Sequence, residues 1–221
     1  PGCTEVEGDV LIEEYGLITN LDGLATILSI GGDLRIKWNY YLNDLTGLAN
    51  LTFVGGNLEI CYNHSLETMD GLESLTEVGG NLLINSNSSL VDLGGLRSLK
   101  KMKGNLEIKL NDVLTVLSGI DNIAPGTIKN LTIANNPELS TCEMESICGY
   151  LADPKGKVDI FNNKTGCNNP AEIARTGLFE LPCLPFGNYY LYTQEEVDQF
   201  NTDYASCNDL KGSLTIRGNL I

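Results

Sequence analysis

The chain has one histidine, His64, and one tryptophan, Trp38, among 221 residues. One imidazole without a partner cannot build a Ser-His-Asp or Cys-His arrangement, and His64 reads as a solvated turn residue. There is no Cys-x-x-Cys pair, no His-x-x-x-His and no phosphate-cradling glycine loop, so no cofactor and no metal are expected. Positive charge is scarce as well. With 14 Lys and Arg against 29 Asp and Glu, the net charge of −15 argues against nucleic acid and anionic membrane as partners. No apolar run approaches the roughly 20 residues of a membrane helix, so no membrane insertion is expected.

What the chain has instead is a period. Ile12, Ile36, Ile60, Ile84 and Ile108 stand 24 residues apart, as do Gly8, Gly32, Gly56, Gly80 and Gly104, and Gly23, Gly47, Gly71, Gly95 and Gly119. A fixed period in the twenties marks a solenoid of stacked units. Within each unit Leu-x-Ile alternates in and out, as in Leu58 and Ile60, which is a short strand with two inward side chains. Apolar residues then recur at every third position, as in Leu66, Met69, Leu72, Leu75 and Val78. That spacing is not the i, i+3, i+4, i+7 stripe of an amphipathic helix. Short extended pieces joined by corners are expected, and the glycines belong to those corners.

Asn39, Asn63, Asn87 and Asn111 form a further column, continued by Asn136 and Asn163 where the last units lengthen. Stacked Asn amides can bond one another and the backbone left unpaired at a corner, so the column reads as a structural ladder. Expected from these features is a mainly β, right-handed β-helix or leucine-rich-repeat-like solenoid of 24-residue coils.

After Asn111 the pattern loosens. Ser140 and Glu143 offer a capping box for a helix at about 141–151, with Met144, Ile147, Cys148 and Leu151 on one face, lying over the end of the stack. Asn169-Pro170-Ala171-Glu172 opens a short helix with Pro at its first position. Five of the seven cysteines, Cys142, Cys148, Cys167, Cys183 and Cys207, lie outside the regular units, where staples would help, and this suggests disulfides and an exported protein. Cys142 and Cys167 each follow the Asn corner of successive units and are the favoured pair. Cys183 can pair with Cys148 or, across a helix, with Cys207. Seven is odd, and Cys61 inside the regular repeat is the candidate free thiol. Sequons at Asn50, Asn63, Asn87, Asn130 and Asn163 point weakly to export.

The end of the chain restarts its beginning. Cys207-x-x-Leu210-x-Gly212-x-Leu214-x-Ile216 matches Cys3-x-x-Val6-x-Gly8-x-Val10-x-Ile12, with Asn219 in the ladder place. A capping box at Thr193 and Glu196 opens a helix at about 194–204, with Val197, Phe200 and Tyr204 on one face. The expected organisation is therefore a solenoid with its helical, disulfide-stapled cap over 1–182 and the start of a second copy over 183–221. Pro1, with neither Met nor signal peptide before it, suits a processed or excised piece.

On these residues, together with the repeated Leu-x-Gly-Leu-x-x-Leu of Leu45 to Leu51 and the Cys142-Glu-Met-Glu-Ser-Ile-Cys148 segment, the chain resembles the receptor L-domain family. Those are the leucine-rich modules of the insulin and epidermal growth factor receptor ectodomains, found also in tandem in bacterial surface proteins. The resemblance implies a right-handed solenoid that binds ligands through one face, polypeptides in the receptors. No furin-like module, transmembrane segment or kinase accompanies it here, and the repeats are more regular than the receptors'. That places the chain nearer the bacterial members and leaves the ligand open.

Candidate ligand-contacting residues are Trp38, Tyr40, Tyr41, Tyr62 and His64, with Arg35 and Glu59 on the adjoining outward column. Clustered aromatics suit sugar stacking or a protein hot spot; the plainer reading is that they cover the corner. Expected, then, is a non-enzymatic binding or adhesion module at the cell surface or outside the cell, recognising a protein or glycan, with further copies in the parent protein. Two alternatives stand beside it. One is a carbohydrate-active β-helix enzyme using Glu59 and Glu107, two units apart with Leu83 between them. The other is a passive spacer.

Overall fold

The computed structural model describes every residue except 1, 16, 176, 185, 186 and 219–221; the expected ladder place of Asn219 falls outside the described residues. The chain is mainly β and its sheets are parallel, an arrangement compatible with a solenoid or β-helix. A seven-stranded sheet takes one four-residue strand from each successive unit, Val10–Glu13 through Leu34–Lys37, Leu58–Cys61, Leu82–Asn85, Leu106–Lys109 and Leu131–Ala134 to Val158–Phe161. The register pairs Leu34 with Leu58 and Leu58 with Leu82, and widens to Leu106 with Leu131 and Leu131 with Val158. A second, five-stranded sheet is built from two-residue strands, Glu5–Val6, Ser29–Ile30, Phe53–Val54, Glu77–Val78 and Lys101–Met102.

Between the sheets the every-third-residue pattern becomes single 3-10 turns at Asp22–Leu24, Thr46–Leu48 and Gly94–Leu96. A 3-10 turn brings residues i and i+3 onto one side, so Leu45, Leu48 and Leu51 all face the interior and all are buried. The unit from Leu58 to Val78 contributes seven inward aliphatic side chains, Leu58, Ile60, Leu66, Met69, Leu72, Leu75 and Val78, each wholly buried. At about 1.5–3 kcal/mol per buried aliphatic side chain, this column is the main stabilising term, and it exists only because neighbouring units cover each other.

Glycine makes that approach close enough. A Cβ on Gly95 would sit 1.9 Å from the Met69 carbonyl oxygen of the preceding unit, and one on Gly47 would sit 1.9 Å from Leu21 O. At Gly80 it would meet Asn57 Oδ1 at 2.5 Å. Two of the glycine columns are therefore steric clearances, one for backbone and one for a side chain.

The five-stranded sheet stops after Met102, where Pro125–Thr127 takes the next place and Pro125 has no N–H to extend the pairing. Helix α1, Glu145–Ala152, packs there, with Gly149 against Pro125 and Tyr150 Oη donating to Lys129 O at 2.7 Å. It packs over the Pro125–Thr127 turn at the end of the five-stranded sheet, while the long sheet runs on through Val158–Phe161. It also begins later than the capping-box reading places it. Met144 is its N-cap, without a side-chain cap bond. Residues 140 and 141 are still held as part of a repeat unit: Ser140 N donates to Thr115 O, and Leu117 N to Thr141 O.

Helix α2, Pro170–Ala174, is capped by Asn169, whose side chain accepts from Glu172 N. Helix α3, Gln194–Asp203, has the Thr193–Glu196 capping box. Flanking α3, strands Asn188–Leu191 and Ser213–Ile216 form a parallel pair. Asn188–Leu191 has no counterpart in the sequence reading. It lies against the last strand of the long sheet, with Asn188 Nδ2 bonded to Asp159 Oδ1 and the Tyr190 ring 4.3 Å from Phe161. One buried apolar cluster runs from Ile12 to Tyr204, so Leu184, Tyr189 and Tyr204 share the interior of what precedes them.

Candidate functional site

The corner after each long-sheet strand is set by side-chain amides. Asn39 N donates to Asn63 Oδ1, Asn63 N to Asn87 Oδ1, Asn87 N to Asn111 Oδ1, Asn111 N to Asn136 Oδ1 and Asn136 N to Asn163 Oδ1, each at 3.1 Å. Each Nδ2 returns to a strand carbonyl of the preceding unit, as Asn63 to Ile36 O at 2.9 Å and Asn87 to Ile60 O at 2.9 Å. Asn39 through Asn136 are wholly buried. The sequons at Asn63 and Asn87 thus coincide with amides already engaged in the interior.

To deliver the Asn inward, the residue before it turns left-handed. Trp38, Tyr62, Ser86, Leu110, Asn135 and Asn162 have φ between 54° and 60°. For residues other than Gly, Asn and Asp this conformation costs roughly 1–2 kcal/mol. Asn135 and Asn162 occupy it cheaply; Trp38 and Tyr62 do not, and their side chains are thrown outward at the corner.

There the aromatic residues stack. Trp38 and Tyr62 lie face to face, ring centroids 4.0 Å apart and planes within 2°. Tyr15 stacks on the other side of Trp38 at 6.1 Å. In the adjoining row Tyr40 and His64 stack at 5.7 Å, and His64 Nδ1 lies 3.1 Å from Ser88 Oγ. The structure therefore brings Trp38, Tyr40, Tyr62 and His64 together and adds Tyr15, which the sequence reading left out. Tyr41 is exposed beside them.

Arg35 and Glu59 belong to the neighbouring sheet face. Arg35 Nε and Lys37 Nζ are 3.5 and 3.6 Å from the Glu59 carboxylate, and Arg35 also pairs with Asp33 and Asp9. Glu107 is held by Lys109 at 2.8 Å and by Asn85 Nδ2 at 2.8 Å. The two carboxylates that an enzymatic reading would use are thus each tied up by their own neighbours. The described residues contain no group of three His, Cys, Asp or Glu able to hold a metal ion.

A second amide column went unread in the sequence. Asp33 N donates to Asp9 Oδ1, Asn57 N to Asp33 Oδ1, Asn81 N to Asn57 Oδ1 and Asn105 N to Asn81 Oδ1. These residues follow the glycines at 8, 32, 56, 80 and 104 at the same period. The backbone bond from Asp33, assisted by Arg35, holds the Asp9 carboxyl below its usual range.

Among the cysteines, Cys142 and Cys167 are bonded, with Cα atoms 5.7 Å apart, which is consistent with an oxidising location. Cys148 is buried and free on α1. Cys183 and Cys207 are unbonded, and the Cys183 thiol donates to Asp209 O at 3.3 Å. Burial pushes the Cys207 thiol up to about 12 and the Cys61 thiol up to about 11. Among the described residues no helix is long and apolar enough to cross a membrane.

No family model, no curated protein and no solved structure matches the chain.

Proposed function

We propose that the chain is a non-enzymatic, extracellular or surface-displayed ligand-binding module. Its architecture is a right-handed solenoid of 24-residue coils with a buried Asn ladder, of the receptor L-domain kind, and residues 183–221 begin a further copy. Recognition runs through the aromatic corner of Tyr15, Trp38, Tyr40, Tyr62 and His64, and the ligand is an extracellular protein or glycan. The observation that carries this reading is the left-handed backbone at Trp38 and Tyr62. Glycine or asparagine would hold the same corner at lower cost, so large aromatic side chains at these two points answer a demand other than folding. Their stacked rings are partly exposed at the edge of a regular surface, which suits contact with another molecule.

The test is a binding screen of the purified protein against glycans and extracellular-matrix proteins, beside a Trp38→Asn, Tyr62→Asn double variant. Asparagine keeps the left-handed corner, so the variant should melt within a few degrees of the wild type and lose the hit. Retention of every wild-type hit by the folded variant would remove the corner from the binding surface; no hit for either protein would favour the spacer.

A further inference from the structure

The aromatic stack ends at Tyr62, and the place where it ends has a shape. Trp38 and Tyr62 occupy successive levels of the left-handed column, and their parallel rings lie one level apart. At the next level the column holds Ser86, whose side chain is too small to cover the second face of the Tyr62 ring. One level further stands Leu110, exposed to 47%. With parallel strands about 4.8 Å apart, Tyr62 and Leu110 are separated by about 9.6 Å across the serine level. A missing ring has left a notch one level high.

The adjoining row repeats the arrangement with polar groups. Tyr40 and His64 stack, Ser88 takes the next level with its hydroxyl on His64 Nδ1, and Asp112 follows, exposed. The notch therefore has an aromatic wall, an aliphatic wall, a floor of Ser86 and Ser88, and a rim of His64 and Asp112.

We infer that this notch is a subsite for one pyranose ring of an uncharged glycan. The inference rests on the binding role proposed for the aromatic corner and names its ligand class. A saturated six-membered sugar ring has two C–H faces and a belt of hydroxyls at its edge. Laid on Tyr62 at the 3.5–4.0 Å of carbon–carbon contact, it leaves about 5.5–6 Å to Leu110, enough for its own thickness and a second contact. Its hydroxyls then meet the serine hydroxyls, the imidazole and the Asp112 carboxylate at the edge. A flat aromatic ligand would fill only part of this gap. A uronate or sialylated glycan would bring negative charge to Asp112 on a chain of net charge −15.

Trp38, the chain's one tryptophan, stacks directly on Tyr62 and serves as a reporter. Its fluorescence is titrated with a neutral β-linked hexasaccharide of glucose or N-acetylglucosamine and with an oligogalacturonate of equal length. Binding of a neutral oligomer, at least tenfold weaker binding of the uronate, and at least tenfold loss in Ser86→Tyr are expected. Ser86→Tyr puts at the third level the residue that the second already carries, filling the notch while leaving Trp38 and Tyr62 in place. Leu110→Ser, which removes the far wall, should weaken binding several-fold and keeps the test open if Ser86→Tyr fails to fold. Neutral-oligomer binding unchanged in both folded variants, or no response to either neutral oligomer, overturns the subsite. Failure of the subsite is separable from failure of the binding role: a protein or glycan hit lost in the Trp38→Asn, Tyr62→Asn variant but kept in Ser86→Tyr leaves the corner a binding surface without this notch.

Discussion

Replacing Asn87 by alanine should cost this protein clearly more than the same substitution at Asn39, where the Asn column begins. Asn87 is wholly buried. Its Oδ1 accepts from Asn63 N at 3.1 Å and from Asn63 Nδ2 at 3.3 Å, and its Nδ2 donates to Ile60 O at 2.9 Å and to Asn111 Oδ1 at 3.3 Å. Alanine removes all four bonds and strands the Asn63 N–H where water does not reach. An orphaned buried donor costs about 1–3 kcal/mol, and each of the three remaining bonds contributes about 0.5–1.5 kcal/mol, so the expected loss is about 5 kcal/mol. For a chain of this length that lowers Tm by roughly 10–20 °C. Asn39→Ala is the matched control. Asn39 Oδ1 has no partner in the first unit, so its removal strands no N–H and should cost about 1–3 kcal/mol less. Urea unfolding followed by far-ultraviolet circular dichroism on both variants measures the difference. Equal losses, within about 0.5 kcal/mol, would show that the unpaired donor carries no weight and that the argument from amide bonding is wrong.

The other expectations follow from single contacts. Gly95→Ala should destabilise by at least about 3 kcal/mol, since its Cβ would overlap Met69 O. Gly23→Ala, at the same repeat position in the first unit with nothing within 4 Å, should be neutral or stabilise by about 0.4–1 kcal/mol; similar melting temperatures for the two would refute the clearance role. Oxidised glutathione should convert the Cys183 and Cys207 thiols to a disulfide, giving up two protons and two electrons to the glutathione disulfide. Peptide mapping that finds both still alkylatable after prolonged exposure argues against the pairing. Cys61, buried and with its thiol near 11, is only about a thousandth thiolate at pH 8, so iodoacetamide should label it only after unfolding. Asp9 and Glu77 both titrate below their usual ranges, Asp9 through the Asp33 amide and Glu77 through Lys103. A depressed folded value means the stabilisation is present above the unfolded value and lost as pH falls through the folded one. Stability should decline from about pH 5 downward, less steeply in Asp9→Asn, Glu77→Gln, and a parallel decline would discount both pairs.

Much of this architecture is legible because every level repeats nearly the same chemistry. Leu58 and Ile60 announce a strand alone, but their recurrence as Leu82 and Ile84 also announces the pairing register. The two-residue strands were less visible: Glu77–Val78 is too short for alternation to show. The second amide column was missed because Asp9 and Asp33 give way to Asn57 and Asn81, and a polar residue after glycine reads as an ordinary turn. The left-handed column was hidden for a different reason. Trp38 and Tyr62 are aromatic, Ser86 polar and Leu110 aliphatic, and their common backbone angle accompanies amide bonds made by the Asn that follows each of them. Only Asn135-Asn136 and Asn162-Asn163 hinted at it, since an Asn before the column Asn suits that conformation. The late start of α1 reflects the same priority of neighbours over local signals. Ser140 is a good cap in isolation, yet its N–H is already committed to Thr115 O.

The left-handed column separates what can vary from what cannot. At each of its six positions the backbone angle is nearly the same, while the side chain projects away from the interior. Exchanging tryptophan for tyrosine, serine or leucine there changes no core contact, and most of these residues bear a similar backbone penalty. Such positions form a rack of interchangeable side chains at a pitch of about 4.8 Å. A lineage of such chains could move from one ligand to another by substituting along this rack, one level at a time, with little change in how the protein folds.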